Sequence, residues 1–166
     1  MCSIFESLHY SGKKMLANIG IKKVVVGASG GIDSAVCAAM FYHILGPENV
    51  LLVNMPSRYN SQTTKGLAEQ LAKNLGCLYT IAPIQESVEL TLAQLDHCEI
   101  TNLSTQQKVA LDIQPLVAEN IQARDRSARV LAAFASALGG GFTCNANKSE
   151  ITVGYSTLYG DLAGVM

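Results

Sequence analysis

The sequence predicts an α/β fold, an open and mostly parallel sheet with helices on both faces. Short apolar runs recur between helical patterns, the alternation expected of βαβ units. The first run, Val24-Val25-Val26, is continuously β-branched and suits a strand buried on both faces. A Gly-rich turn follows it and opens a helix, at the carboxyl edge where open α/β sheets bind ligands.

The elements follow in order. The first strand is expected over Lys23 to Ala28, and a helix from about Asp33 to Leu45 is stopped by Gly46-Pro47. Val50 to Met55 is the second strand. Ser61 caps a helix to Leu75 whose apolar stripe is Leu67, Ala68, Leu71, Ala72 and Leu75, with Gly76 at the C′ position. Cys77 to Ala82 is the third strand, ended by Pro83. Ile84, Val88, Leu92 and Leu95 then carry the spacing of a helix packed on the sheet. His97 to about Gln114 is polar and irregular, an excursion. Leu116 to Leu138 is the longest helical pattern, ending at Gly139-Gly140-Gly141, and Phe142 to Asn145 is the fourth strand. The remainder reads as loop.

With 166 residues and no repeat or linker, one domain over 1–166 is the expectation. The chain stops at Met166 without an element that would close the sheet, so truncation at the C-terminus is also expected. A covering segment beyond Met166 would then be needed to shield a reactive intermediate, so the chain alone is expected to bind ATP but to turn over poorly. The 49% hydrophobic content supports a core, and 12 Lys+Arg against 13 Asp+Glu without a basic tract disfavour a nucleic-acid surface. No apolar run reaches the roughly 18 residues of a membrane helix, and the N-terminus lacks signal-peptide order, so a cytoplasmic protein is expected. Five cysteines, at 2, 37, 77, 98 and 144, form no C-x-x-C pair, which argues against a disulfide framework or a zinc site. His43 and His97 lie late in helices and are read as structural or surface groups.

The chemistry concentrates in Gly27-Ala28-Ser29-Gly30-Gly31-Ile32-Asp33-Ser34. Gly30 and Gly31 admit close backbone approach, Ser29 and Ser34 add hydroxyls, and the helix N-terminus adds free N–H groups, all suited to phosphate. A Walker A loop would need a Lys-Ser/Thr pair and a dinucleotide fingerprint G-x-G-x-x-G, and neither is present. The pattern S-G-G-x-D-S resembles the PP-loop of the N-type ATP pyrophosphatases, which split ATP between its α and β phosphates. In that setting Asp33 implies Mg²⁺ bridging carboxylate and polyphosphate.

Further segments narrow the resemblance: Asn54-Met55-Pro56-Ser57-Arg58-Tyr59-Asn60-Ser61, Glu119-Asn120-Ile121-Gln122-Ala123-Arg124-Asp125-Arg126, Asn147-Lys148-Ser149-Glu150 and Gly154-Tyr155-Ser156-Thr157-Leu158-Tyr159-Gly160-Asp161. From about Lys23 onward the chain resembles the synthetase domain of the NAD synthetase family, in the version usually fused to a glutaminase but without the glutaminase sequence. The resemblance implies an adenine nucleotide alpha hydrolase-like fold and a ligase that forms a C–N bond. The nicotinate carboxylate of nicotinic acid adenine dinucleotide would attack the α-phosphorus of ATP and expel pyrophosphate. Ammonia would then attack the acyl adenylate, releasing AMP and giving NAD.

Carried onto this sequence, the family pattern has Ser29, Gly30, Gly31, Ile32, Asp33 and Ser34 cradle the pyrophosphate, while Gly27, Val53 and Met55 line the adenine. Asp33 and Glu150 would hold magnesium. Arg58 has a forked head suited to phosphate, and Asn120 and Arg124, one turn apart, would face the substrate. Tyr155, Ser156, Thr157 and Leu158 match the dinucleotide-contacting stretch; Asp161 matches an acid near the nicotinyl end that would attract ammonium or take its proton. Tyr159 is given no role beyond packing. Asn145-Ala146 stands where the family usually has Thr-Gly, with Asn145 retained as a candidate ATP contact. The resemblance also implies a homodimer built on the long helix, with Ala128, Ala132, Ala133, Ala135 and Ala137 permitting close approach, and ammonia supplied free or by a glutaminase domain or subunit. The alternatives are another ATP pyrophosphatase, such as the synthetase half of GMP synthetase, and a nucleotide-binding module without turnover. A tRNA-thiolating enzyme would need paired reactive cysteines, which are absent.

Overall fold

The computed structural model describes residues 3–57 and 62–164, with 62–65 as backbone only. From the N-terminus the elements are α1 (Ile4–Ile19), β1 (Val24–Gly27), α2 (Ile32–Leu45), a 3-10 turn (Pro47–Asn49), β2 (Val50–Asn54), α3 (Gln62–Leu75), β3 (Leu78–Ile81) and α4 (Gln85–Leu95). There follow β4 (Glu99–Thr101), β5 (Lys108–Ala110), α5 (Pro115–Arg124), a π-helical turn (Asp125–Leu131), α6 (Ala132–Leu138), β6 (Gly141–Phe142) and α7 (Lys148–Val153). The main sheet has the order β3-β2-β1-β6, and every pairing in it is parallel.

Side chains alternate across a strand, and β1 uses that alternation to divide the core. Val24 and Val26 join Val50, Leu52, Ala38, Phe41 and Ala68 on the face covered by α1, α2 and α3. Val25 joins Leu51, Val53, Ile84, Val130 and Leu131 on the opposite face, under α4 and the long helical run from α5 to α6. Helices therefore cover both faces, as expected. Within the expected apolar stripes, Leu67 and Leu95 turn out exposed; the buried part of α3 is carried by Ala68 and Ala72.

Several local expectations need correction. The N-terminal region forms α1, started by a capping box in which Ser3 and Glu6 bond each other's backbone and closed by Gly20 in the left-handed conformation. The polar stretch after His97 contains an antiparallel hairpin, β4 with β5, paired Glu99 with Ala110 and Thr101 with Lys108. Asn102 bends its turn by accepting from the N–H groups of Ser104 and Thr105. These strands are so short and so exposed that no apolar alternation marks them. The long helix begins at Pro115, but its middle is the π-helical turn rather than uninterrupted α-helix. The fourth strand is shorter than expected: β6 covers only Gly141–Phe142, with one more bond from Thr143 N–H to Val25 C=O. After it comes α7, not loop, opened by an Asn147–Glu150 capping box. Among the described residues no helix is long and apolar enough to cross a membrane.

Candidate functional site

The loop joining β1 to α2 lies at the carboxyl edge of the sheet. Gly30 has φ +85°, a conformation that glycine adopts at little cost. Ser29 Oγ accepts from Gly31 N–H at 3.2 Å and lies 3.2 Å from Ser34 Oγ, while the buried Ser34 hydroxyl donates to Gly31 C=O at 3.0 Å. The two serines thus brace the loop from within. Gly31 at the N-cap gives α2 no side-chain cap, so the first-turn donors and the dipole have no side-chain acceptor there and are open to an anion. Ile32 and Asp33 project outward, both exposed. A shallow depression of about 230 Å³ adjoins the loop, between Gly30, Gly31 and Ala35 on one side and Leu67, Gln70 and Leu71 on the other.

Beside the loop, the ends of β1 and β6 are tied by a side chain. Asn145 Nδ2 donates to Gly27 C=O at 2.8 Å, and its Oδ1 accepts from the buried Thr143 hydroxyl at 2.7 Å. Thr143 also bonds the Cys37 thiol, whose pKa is pushed up by burial against that bond. Val53 and Met55 are at the expected strand end, but their side chains belong to the core. Asn147 bridges the two expected metal carboxylates. Its Nδ2 is 3.5 Å from Asp33 Oδ1, its Oδ1 accepts from Glu150 N–H, and its own N–H donates to Glu150 Oε2 at 2.9 Å. Asp33 makes no ion pair among the described residues. Arg58 lies outside the described residues.

The stretch expected to contact the dinucleotide, Tyr155 to Leu158, is seated on the long helix. Thr157 Oγ1 donates to Asn120 Oδ1 at 2.7 Å, and Arg124 Nε donates to Leu158 C=O at 3.2 Å. Asp161 accepts Thr157 N–H on both carboxylate oxygens at 3.1 Å, and its own C=O receives the Cys144 thiol. Tyr155, Leu158 and Tyr159 are exposed, Tyr159 at 69%, so Tyr159 does not pack as expected. Ser156 and Thr157 are half-buried. Sequence alone missed Ser127, whose hydroxyl donates to Tyr159 C=O at 3.0 Å; a serine inside a helical pattern carries no signal of that role. Asn147 could have been found, because N-x-x-E before a helix is a capping box.

Behind this stretch, Arg129 holds Asp125 with two nitrogens at 2.7 Å, and Ser87 of α4 bonds both. Burial pulls the Asp125 carboxyl upward, yet the hydrogen bonds from Arg129 and Ser87 outweigh it and hold the group below its ordinary value. Arg129 is therefore structural. Arg126 is half-buried, and desolvation lowers its pKa despite the nearby Asp125 charge.

A sequence profile described as NAD synthase matches residues 4–166. The chain belongs to the NAD synthase family. The match reaches back through α1, beyond the Lys23 limit of the sequence resemblance. Glutamine-dependent NAD(+) synthetase of Aquifex aeolicus is 38% identical over 163 residues, which are 97% of this chain and 26% of that protein. The protein of that name from Thermotoga maritima is 40% identical over 162 residues, again 97% of this chain and 26% of the relative. The chain thus spans about a quarter of the length of the curated relatives it matches. Among solved structures, the glutamine-dependent NAD+ synthetase of Acinetobacter baumannii in complex with ADP has a TM-score of 0.83 at 32% identity, over 97% of this chain and 28% of that one. The NMN synthetase of Francisella tularensis gives 0.80 at 28%, over 97% and 60%. The NAD synthase fold, adenine nucleotide alpha hydrolase-like, is accordingly the fold of this chain.

Proposed function

We propose that this chain is the ATP- and substrate-binding part of a ligase that amidates nicotinic acid adenine dinucleotide to NAD. The observation that carries the proposal is the convergence, at one sheet edge, of the Ser29–Ser34 loop and the Asn145–Glu150 junction through the Asn147–Asp33 contact. The dinucleotide stretch, held on Asn120 and Arg124, continues directly from that junction.

In this reading the uncapped α2 N-terminus and the backbone of Gly30 and Gly31 receive the polyphosphate, and Ser29 and Ser34 keep the loop in shape for it. Gly27, Val53 and Met55 mark the edge for the adenine, and Arg58 approaches a phosphate. Arg124 keeps its terminal nitrogens for the dinucleotide, since only Nε is used within the described residues. Tyr155 to Leu158 provide its contact surface. Asp161, already fastened to Thr157, attracts ammonium or takes its proton beside the nicotinyl group.

The residues fit Mg²⁺. No group of three or more His, Cys, Asp or Glu is gathered among the described residues, but magnesium bound with substrate phosphates needs only one or two carboxylates. Asp33 and Glu150, linked through Asn147, would hold it, and the ion would neutralise charge on the leaving pyrophosphate.

The nitrogen reaches the site as free ammonia or from a glutaminase domain or subunit, in keeping with the glutamine dependence named for the relatives. A homodimer would use the long helix: Ala128, Ala133 and Ala137 are exposed, whereas Ala135 is spent on the core and Ala132 is half-buried. Light scattering at tens of micromolar should give twice the chain mass; one chain's mass would count against the dimer. A cytoplasmic location completes this reading.

The test is pyrophosphate release from Mg·ATP and ammonium in the presence of the deamidated dinucleotide, its mononucleotide or xanthosine monophosphate. Release is expected with the dinucleotide, slow from these residues alone, and should be abolished by Asp33→Asn without loss of fold. Release with xanthosine monophosphate alone would transfer the chain to the GMP synthetase-like reading. Preference for the mononucleotide would align it with the NMN synthetase neighbour. ATP binding without release under any condition would make it a binding module.

A further inference from the structure

The long helix meets the 155–161 turn along one stripe. Asn120 receives Thr157, Ala123 lies beneath Gly160, Arg124 holds Leu158 C=O and Ser127 holds Tyr159 C=O. Positions 120, 123, 124 and 127 share a helix face by their spacing. Past Ser127 the same helix drives Val130, Leu131 and Ala135 into the core. The π-helical turn from Asp125 to Leu131 stands between these two duties. Its i→i+5 bonding accommodates an extra residue relative to an α-helix, and one inserted residue rotates the preceding stripe by about 100° relative to the core-anchored part. Asp125, Arg129 and Ser87 lock the far side of that turn to α4.

Ser127 sits inside the turn and is buried. Its hydroxyl is shared between Ala123 C=O at 3.1 Å and Tyr159 C=O at 3.0 Å. Tyr159 has φ +61°, a left-handed backbone that is costly for a side chain of this size and persists only where neighbours enforce it. Its ring makes no aromatic contact among the described residues, so the ring does not supply that enforcement. Within the turn, Gly160 and Leu162 N–H donate to Thr157 C=O and the Asp161 carboxylate accepts Thr157 N–H; from outside it, among the described residues, the Ser127 hydroxyl bonds the Tyr159 carbonyl itself.

We propose that Ser127 is a positioning residue for the dinucleotide: placed by the π-helical turn, it latches the strained Tyr159 backbone and so fixes the Thr157–Gly160 turn against Asn120 and Arg124. This rests on the proposed binding of the deamidated dinucleotide at that turn. Ser127 touches no substrate; it acts through the turn.

The test uses Ser127→Ala and Ser127→Thr, with amide hydrogen exchange of Thr157, Gly160 and Leu162 and calorimetry with the deamidated dinucleotide and, separately, with Mg·ATP. For Ser127→Ala, exchange at these amides should speed up about tenfold and dinucleotide affinity fall about fivefold or more, the scale of one buried hydrogen bond. Mg·ATP affinity should be unchanged, and Ser127→Thr, which keeps the hydroxyl, should restore wild-type behaviour. Tyr159→Gly should make exchange of the turn insensitive to Ser127→Ala, because glycine needs no latch. Unaltered exchange in Ser127→Ala overturns the latch, as does equal loss of both affinities or failure of Ser127→Thr to rescue. If wild-type protein binds no dinucleotide while Ser127→Ala still loosens the turn, the functional reading falls and the latch stands.

Discussion

Replacing Asn145 by Ala separates a structural pin from a nucleotide ligand. The substitution removes the donor to Gly27 C=O and the acceptor for the Thr143 hydroxyl. A buried polar group stripped of its partner costs about 1–3 kcal/mol. Thr143 is only 3% exposed but retains Cys37 as a second partner, and the Gly27 carbonyl lies at a half-buried strand end. Together these put the loss at about 2–4 kcal/mol, or roughly 10 °C in melting temperature for a chain of this size. Asn145→Asp keeps the acceptor but sets a carboxylate oxygen against the Gly27 carbonyl in place of the donor, so it should not recover wild-type stability. Urea unfolding gives the stability change, and calorimetry gives Mg·ATP affinity under conditions where each variant is folded. Wild-type stability within about 0.5 kcal/mol, combined with lost ATP affinity, would refute the reasoning and make the Asn145 amide a ligand-facing group.

Other outcomes follow from the same geometry. A Cβ at Gly160 would lie 2.9 Å from those of Ala123 and Thr157, well inside the usual carbon contact of about 3.5–4.0 Å, so Gly160→Ala should cost about 1–3 kcal/mol and weaken dinucleotide binding before Mg·ATP binding. The Asp125 carboxyl has its pKa lowered in the fold, so the folded state binds fewer protons there than the unfolded chain; its stabilisation is present above the ordinary carboxylate value and is lost as pH falls through the lowered one. Unfolding midpoints followed from about pH 5 to about pH 3 should fall more steeply for wild type than for Asp125→Asn. Glu150→Gln should abolish Mg²⁺-dependent pyrophosphate release while sparing much of ATP binding; equal release by wild type and variant would leave Glu150 only its capping role.

The sheet was legible because its signal is local. Val24 to Val26, Val50 to Val53 and the glycine stops at 46 and 76 place strands and helix ends from adjacent residues alone. Ser3 to Glu6 and Asn147 to Glu150 carried capping boxes just as readable, though α1 and α7 were not recognised from them. Other features are tertiary. The π-helical turn adds a residue to an otherwise regular helix and shows only when Val130 and Leu131 are seen in the core while Arg124 and Ser127 face the turn. The hairpin at 99–110 buries no face, so no apolar alternation betrays it. At the site, the Ser29–Ser34 loop between β1 and α2 could be read from its glycines and serines. The internal commitments of Asn145 and Asp161 and the Asn147–Asp33 contact could not, because their partners are distant in sequence or are backbone atoms.

The segment from Thr143 to Gly164 is joined to the rest through hydrogen bonds and close-packed glycines more than through an apolar face. Asn145 reaches Gly27, Gly160 rests on Ala123, Ser127 holds Tyr159 C=O, and no residue of α7 is buried. Such a unit should open on its own at a free energy below that of global unfolding. A protease should therefore nick the protein between Lys148 and Tyr155 while the sheet is still intact. A nucleotide spanning Asp33 and this segment would oppose that opening by mass action, so the cleavage rate becomes a gauge of occupancy. With nucleotide bound, the clasp would spend more of its time shut against a sheet that stays fixed behind it.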